Sequence, residues 1–233
     1  MRGCFVTGTG TEVGKTVVAA AIARTGAQNG EAVAVFKPVV TGLDDPVTAP
    51  QEPDHLLLRR AAGSTQADEE IAPYRYGPAV SPHLAAHLAG ETIDPALLVE
   101  RCRAAESRAD LLACEGVGGF LVPLTLGYLV RDFARDLGLP VVIASPPGLG
   151  AINHTLLTIE AVRAVGLEVA AVVLTPWPEE PGAIERSNRV TIERLGDVRI
   201  ATLSRLDLGA PESWPPLSIV DSLFPPPTGL SSP

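Results

Sequence analysis

Thr7-Gly8-Thr9-Gly10-Thr11-Glu12-Val13-Gly14-Lys15-Thr16-Val17 is the stretch on which the fold turns. A short apolar run, Cys4-Phe5-Val6, precedes it, and an alanine-rich stretch from Val17 to Ala27 follows. Strand, glycine-rich turn, Gly-Lys-Thr and helix, in that order, are the setting in which such a sequence binds a polyphosphate. Successive backbone N–H groups curl around the anion, and the helix N-terminus adds its partial positive charge. Lys15 then reaches the β- and γ-phosphates, and the Thr16 hydroxyl faces magnesium. The common pattern opens on a glycine at the position that is Thr9 here; the glycine sits one residue further out, at Gly8, so the loop carries an extra residue. Gly-Lys-Thr also opens ordinary surface helices, and the flanking strand and helix are what favour nucleotide binding.

The 233 residues are enough to bury a full core without disulfides. Aromatic residues make up only 4%, so Leu, Val, Ile and Ala fill that core. Against 18 Lys and Arg stand 27 Asp and Glu, a formal charge of −9. No basic cluster exceeds Arg59-Arg60, which argues against a nucleic-acid surface. The three cysteines, Cys4, Cys102 and Cys114, lack metal-binding spacing, and two fall in expected strands, as buried free thiols of a reducing compartment do. With no charged-then-apolar leader and no run of 18 apolar residues, the chain is expected to be soluble and cytoplasmic, with no membrane partner.

The first helix ends at Gly30, and Ala32 to Lys37 reads as a second buried strand closed by Pro38. A loop rich in Asp and Pro runs to Pro53, and a short helix covers His55 to Ala62, with Asp54 at its start and Gly63 as its stop. Residues 64–80 read as irregular. Ser81-Pro82 and Asp94-Pro95 are each a cap followed by a first-turn proline, opening helices to about Ala89 and Ser107. Further strands are expected at Leu111–Cys114, Pro140–Ala144, Glu168–Leu174 and Val198–Leu203, and helices near Tyr128–Leu137, Ala151–Val165 and Ile184–Leu195. Apolar runs alternating with helices predict a three-layer α/β P-loop NTPase fold, a mainly parallel sheet flanked by helices. Residues 1–210 form its single domain. From Pro211 onward seven of 23 residues are proline, and 211–233 is expected to be an extended tail.

A parallel sheet presents its ligands to the C-terminal ends of its strands. Lys15 and Thr16 follow the first strand, Lys37 ends the second and Glu115 the third. An unpaired ammonium at the end of an Ala/Val strand is costly, so Lys37 either meets an anion or snorkels to water. Glu115 reads equally as a magnesium carboxylate and as a solvated strand end. Asp54, by position alone, reads as the N-cap of the helix at His55. Asn153, starting a helix after Gly148-Leu-Gly150, reads equally as a cap and as an anion contact. His83 and His87 stand one turn apart without a third ligand, which leaves them as surface or interface residues.

Taken together, the stretch from Gly8 to Thr16, Phe36-Lys-Pro-Val39, Thr41-Gly42, Asp54, Ser81-Pro82-His83, Glu115-Gly-Val-Gly-Gly119 and Gly150-Ala-Ile-Asn-His154 resemble the dethiobiotin synthetase family. They do so in order and at that family's separations, from residue 3 to about 195, and the extra loop residue is the family's form of the P-loop. The resemblance implies a magnesium-dependent ligase that forms dethiobiotin from 7,8-diaminopelargonate, CO2 and a nucleoside triphosphate. By that resemblance Glu12, Val13, Gly14, Lys15, Thr16 and Val17 wrap the phosphates, and Gly116, Val117 and Gly118 join the nucleotide site. Thr16, Asp54 and Glu115 hold magnesium, which moves Asp54 from cap towards ligand. Lys37 is the catalytic lysine with Lys15 beside it, and Thr11 and Thr41 are substrate contacts. The substrate's distant carboxylate meets the helix start at Gly150 and Asn153 of a second subunit, implying a homodimer with its active site at the interface.

No residue stands out as a general base; the chemistry asks mainly for positioning and positive charge. Two departures concern the base. Where the family commonly has an Asn-Asp pair whose Asn reads adenine, this chain has Thr175-Pro176-Trp177. Threonine lacks the paired amide donor and acceptor, and Pro176 has no backbone N–H. Ser204-Arg205-Leu206 also differs from the family's usual Pro-Trp-Leu. Thr175 and Pro176 are therefore nucleotide positions with weakened adenine selectivity, so that CTP, GTP or UTP could serve alongside ATP. A dimerising switch ATPase of the partition or septum-site kind is the alternative. It calls for a second lysine early in the loop, where this chain has Gly10, and often for a membrane segment. A glutamine-hydrolysing amidoligase needs a further domain for which residues 196–233 are too few.

Overall fold

The computed structural model describes residues 2–44 and 52–220. Its elements begin with β1 (Arg2–Gly8), α1 (Lys15–Gln28), β2 (Val33–Phe36), β3 (Val39–Val40), α2 (Asp54–Ala62), α3 (Asp68–Ile71), β4 (Tyr74–Arg75), α4 (Pro82–Leu88) and α5 (Pro95–Glu106). They continue with β5 (Leu111–Glu115), β6 (Pro123–Thr125), β7 (Tyr128–Leu129), α6 (Val130–Leu137), β8 (Val141–Ser145), α7 (Ala151–Arg163), β9 (Val169–Trp177), α8 (Ala183–Gly196), β10 (Ile200–Ser204) and a 3-10 turn, Pro211–Ser213.

Six strands form one parallel sheet in the order β10-β9-β8-β1-β5-β2. β1 lies in the middle, with Val6 beside Glu115 on one side and Val142 on the other. The chain winds one way from β1 to β2 and the other way from β8 onward, and a sheet of this kind opens its ligand crevice at that reversal. The strands are apolar throughout because helices cover both faces. On one face Cys4 and Val6 pack with Val18 and Ile22 of α1 and Leu58 of α2. On the other, Phe5 and Phe36 pack around Phe133, with the Phe5 and Phe133 rings edge to face at 5.9 Å. Cys4, Cys102 and Cys114 are buried free thiols. Among the described residues no helix is long and apolar enough to cross a membrane.

Several local expectations change. Residues 64–80 are ordered by α3 and by β4, which pairs with β3. The helix expected from Tyr128 starts at Val130, because Tyr128 and Leu129 pair with β6 in a hairpin and the Asp132 carboxylate accepts the Leu129 N–H at 2.9 Å. Asp94 caps α5 as expected, accepting from the Ala96 and Leu97 N–H groups. Ser81 sits at the start of α4 but its hydroxyl meets the His83 Nδ1 at 3.1 Å, leaving the helix without a side-chain cap.

The largest change is at the expected tail. Residues 211–220 are packed: Trp214 is 2% exposed and lies with Leu217 and Val220 in the same core as Val18 and Ile22 of α1. The Leu217 N–H donates to Thr25 Oγ1 at 2.9 Å, and Gln28 Nε2 donates to the Trp214 carbonyl at 2.8 Å. Prolines dominate the composition, but Trp214, Leu217, Ile219 and Val220 supply enough apolar surface to dock the backbone they interrupt. The rest of that tail, 221–233, and residues 45–51 of the Asp- and Pro-rich loop lie outside the described residues.

Candidate active site

The phosphate loop runs from the end of β1 to the start of α1. At Gly8 a Cβ would come within 2.5 Å of the Val13 side chain and 2.8 Å of Lys15, so only glycine lets the loop fold back on the strand. Glu12 (φ 59°) and Gly14 (φ 90°) are both left-handed, and this turns the loop's backbone into a concave nest. A Cβ on Gly14 would also lie 2.6 Å from the Thr175 Cγ2, which places the end of β9 directly against the loop. Lys15 donates from Nζ to the Gly10 carbonyl at 2.7 Å, bridging the loop's own mouth. Burial lowers the Lys15 ammonium to about 8, an effect that Glu115 partly offsets.

Lys37 leaves β2 with its N–H on the Ile71 carbonyl at 2.8 Å and its side chain 3% exposed. Its Nζ lies 2.7 Å from Asp54 Oδ2 and 2.6 Å from Glu115 Oε1. The ammonium is therefore paired, not snorkelling. Asp54 is the first residue of α2; the cap position falls on Pro53, and the carboxylate makes no cap bond but turns to Lys37. Glu115 is fully buried, which removes the solvated-strand-end reading. Burial alone would push Lys37 down, but Asp54 and Glu115 more than offset it and hold its pKa well above the ordinary ammonium value. Burial pushes Asp54 up, yet Lys37 and the Thr16 hydroxyl outweigh it and leave the carboxylate below its usual range. Glu115 goes the other way: its burial is complete, Lys37 compensates only in part, and its pKa is raised.

Thr16 Oγ1 donates to Glu115 Oε1 at 2.9 Å, while Glu115 Oε2 is buried without a partner. Among the described residues no group of three or more His, Cys, Asp and Glu stands together as a metal cage. One hydroxyl, two carboxylates and a free carboxylate oxygen are instead what magnesium takes when phosphate oxygens and water complete its octahedron. The residues fit that ion.

A cavity of about 750 Å³ opens over these groups. Thr11, Glu12, Gly14, Lys15, Thr16 and Val17 form one side of it. Lys37, Thr41, Asp54, Glu115, Val117 and Gly118 form the other. Val13 and Gly116 belong to the same two turns without reaching the wall, Thr175 backs Gly14 from behind, and Pro176 beside it is exposed. Gly150 and Asn153 are exposed at the start of α7 and take no part in this cavity. Sequence reasoning gave no role to Ser81, Pro82, Val122, Leu57 and Leu208, which also line it. Ser81 could have been found, since a serine that does not cap is free to face a ligand; nothing local marks Leu208. A separate groove of about 430 Å³ along β2, beside Gln66 and Arg101, contains none of the expected site residues.

A family model described as an AAA domain matches residues 2–208. The ATP-dependent dethiobiotin synthetase of Bacillus velezensis is 38% identical over 86% of this chain and 84% of its own length. That of Anaeromyxobacter dehalogenans strain 2CP-1 is 41% identical over 84% of this chain and 86% of its own. The signal recognition particle 54 kDa protein of Aeropyrum pernix K1, solved in complex with GDP, superposes with a TM-score of 0.50 at 16% identity. That likeness covers 95% of this chain but only 46% of the particle protein, and it speaks for the fold alone.

Proposed function

The chain belongs to the family of ATP-dependent dethiobiotin synthetases, and from that membership we propose how its own site does the family's work. It is a ligase that uses ATP and magnesium to close the ureido ring of dethiobiotin from 7,8-diaminopelargonate and CO2. The observation that carries the reading is Lys37, buried between Asp54 and Glu115 at the mouth of the phosphate loop. A cation so placed serves a reaction in which negative charge gathers between a phosphoryl group and an incoming oxygen.

In this reading the backbone from Glu12 to Val17 cradles the triphosphate, and Lys15 exchanges the Gly10 carbonyl for phosphate oxygens. Thr16, Asp54 and Glu115 hold magnesium, which supplies charge neutralisation on the β- and γ-phosphate oxygens when bound. One amine of the diamine adds to the carbon of CO2 and loses a proton, giving a carbamate. A carbamate oxygen attacks the γ-phosphorus and ADP departs, leaving a carbamic-phosphoric anhydride. The second amine attacks the carbamoyl carbon, the C–O bond to phosphate breaks, and the ring closes with loss of a second proton. Lys37, whose raised pKa keeps it charged, acts throughout as a cation and not as a base. Thr11 and Thr41 orient the diamine at the cavity's other end.

The exposed start of α7 suits a second copy of the chain, whose Gly150 and Asn153 would meet the substrate's carboxylate at a helix N-terminus. We therefore assign a homodimer, in the cytoplasm, with no nucleic-acid partner given the charge of −9. Thr175 and Pro176 offer no amide to an adenine edge, so ATP and CTP should bind within about 100-fold of each other. The test is phosphate release with magnesium and bicarbonate across ATP, CTP, GTP and UTP, with and without the diamine. Release that needs the diamine and matches dethiobiotin one for one supports the reading. Release indifferent to the diamine moves the chain to the switch ATPases.

A further inference from the structure

Residues 205–214 leave β10, at the sheet edge opposite the Lys37 strand, and cross α1 to reach α2. Arg60 of α2 holds this strap. Its Nη2 donates to the Leu208 carbonyl at 2.5 Å and its Nη1 to the Gly209 carbonyl at 2.9 Å, while Glu52 fixes the guanidinium from a third side at 2.7 Å. Two consecutive carbonyls gripped by one planar fork fix the orientation of the peptide between them. Leu208 is the strap residue that reaches the wall of the phosphate cavity, where it stands with Leu57 and half exposed. Leu206, just before it, packs with Val13 and Val17 of the phosphate loop and helix. An apolar ledge thus continues from the end of the loop onto the strap.

A nucleotide whose γ-phosphate lies beside Lys37 must lay its sugar and base away from that strand, towards the ledge. We propose that Arg60 is a positioning residue for the nucleobase: by gripping Leu208 and Gly209 it sets the Leu208 ledge against the flat face of the base. An apolar ledge takes any base by its face and reads no edge, which accounts for affinity without adenine selectivity. The proposal rests on the reading of a nucleoside triphosphate in the loop.

The experiment compares full-length wild type with Arg60→Ala for the KM of ATP and of CTP and for inhibition by inorganic tripolyphosphate, which has neither sugar nor base. Both nucleotide KM values should rise about tenfold, with kcat within about twofold and the tripolyphosphate Ki unchanged. Arg59→Ala, whose side chain pairs with Asp68 instead, should leave all of these unchanged. An equal rise in KM and in the tripolyphosphate Ki, or no rise in either, overturns the proposal. If Arg60→Ala does not fold, Arg60→Lys, which keeps the charge but not the fork, decides in its place. Should wild type show no diamine-dependent turnover, the functional reading fails, and calorimetric binding of ATP against tripolyphosphate still judges Arg60.

Discussion

At the phosphate end of the cavity the structure is held by charged side chains that meet one another: Lys37 on Asp54 and Glu115, and Thr16 on Glu115. Across the strap the same task falls to backbone carbonyls, those of Leu208, Gly209, Glu212 and Trp214, each taken by a side chain of α1 or α2. A buried charge without its partner is costly, so the first arrangement constrains which residues stand at each position. A carbonyl is offered by every residue, so the second constrains only the side chains that reach for it. The two regions touch where Thr175 lies on Gly14.

The comparison breaks most easily at the strap. If residues 211–220 are part of the core, Trp214→Ala should lower unfolding free energy by about 3–5 kcal/mol in a denaturant titration. A loss under about 0.5 kcal/mol would make the segment a loose tail after all. At the phosphate end, Lys37→Met keeps most of the side chain's length and removes its charge. Diamine-dependent turnover should fall by about 10²–10³-fold, while ATP affinity changes less than tenfold. Turnover kept within tenfold would leave the cation without its assigned part.

The contact between the regions is sharpened by Gly14→Ala, which meets both a φ of 90° and Thr175 Cγ2 at 2.6 Å. A cost of about 1–3 kcal/mol is expected, and adding Thr175→Ser should recover only the part due to the clash, since the backbone strain stays. Full recovery in the double variant would mean that the left-handed turn costs nothing. The smallest expected effect is a null one. Burial pushes the Cys4 thiol up to about 12 and the Cys114 thiol upward too, disfavouring the thiolate in the folded state. Between pH 7 and about 9, where an ordinary thiol ionises, native protein should therefore resist alkylation at both, and they should react on unfolding. Native labelling that rises with pH would show that the strand beneath Glu115 is open to water.

What the sequence makes legible follows the same division. The sheet, its parallel sense and the helices on both faces are legible because strands buried on two sides must be apolar runs. Gly8, Gly14, Lys15 and Lys37 are legible because close approach, left-handed turns and buried ammonium groups each restrict the residue. Asp54 is misread from position because an Asp that precedes a helix looks like a cap whether it bonds the backbone or a distant lysine; only the fold brings Lys37 to it. Leu208, Arg60 and the docking of Trp214 leave no local mark, since a carbonyl contact across roughly 150 residues of chain depends on no pattern near either end. The hairpin before α6 is hidden for a smaller reason, two residues being too few for any alternation to register.

The central claim is that a carbamate oxygen, and not water, attacks the γ-phosphoryl group held between Lys15 and Lys37. Turnover with 18O-labelled bicarbonate, diaminopelargonate and unlabelled ATP, followed by mass analysis of the phosphate released, tests it directly. The account predicts one labelled oxygen in each phosphate, carried over when the C–O bond of the anhydride breaks, in step with dethiobiotin formed. Phosphate carrying only solvent oxygen would contradict it and make the protein a hydrolase of its nucleotide.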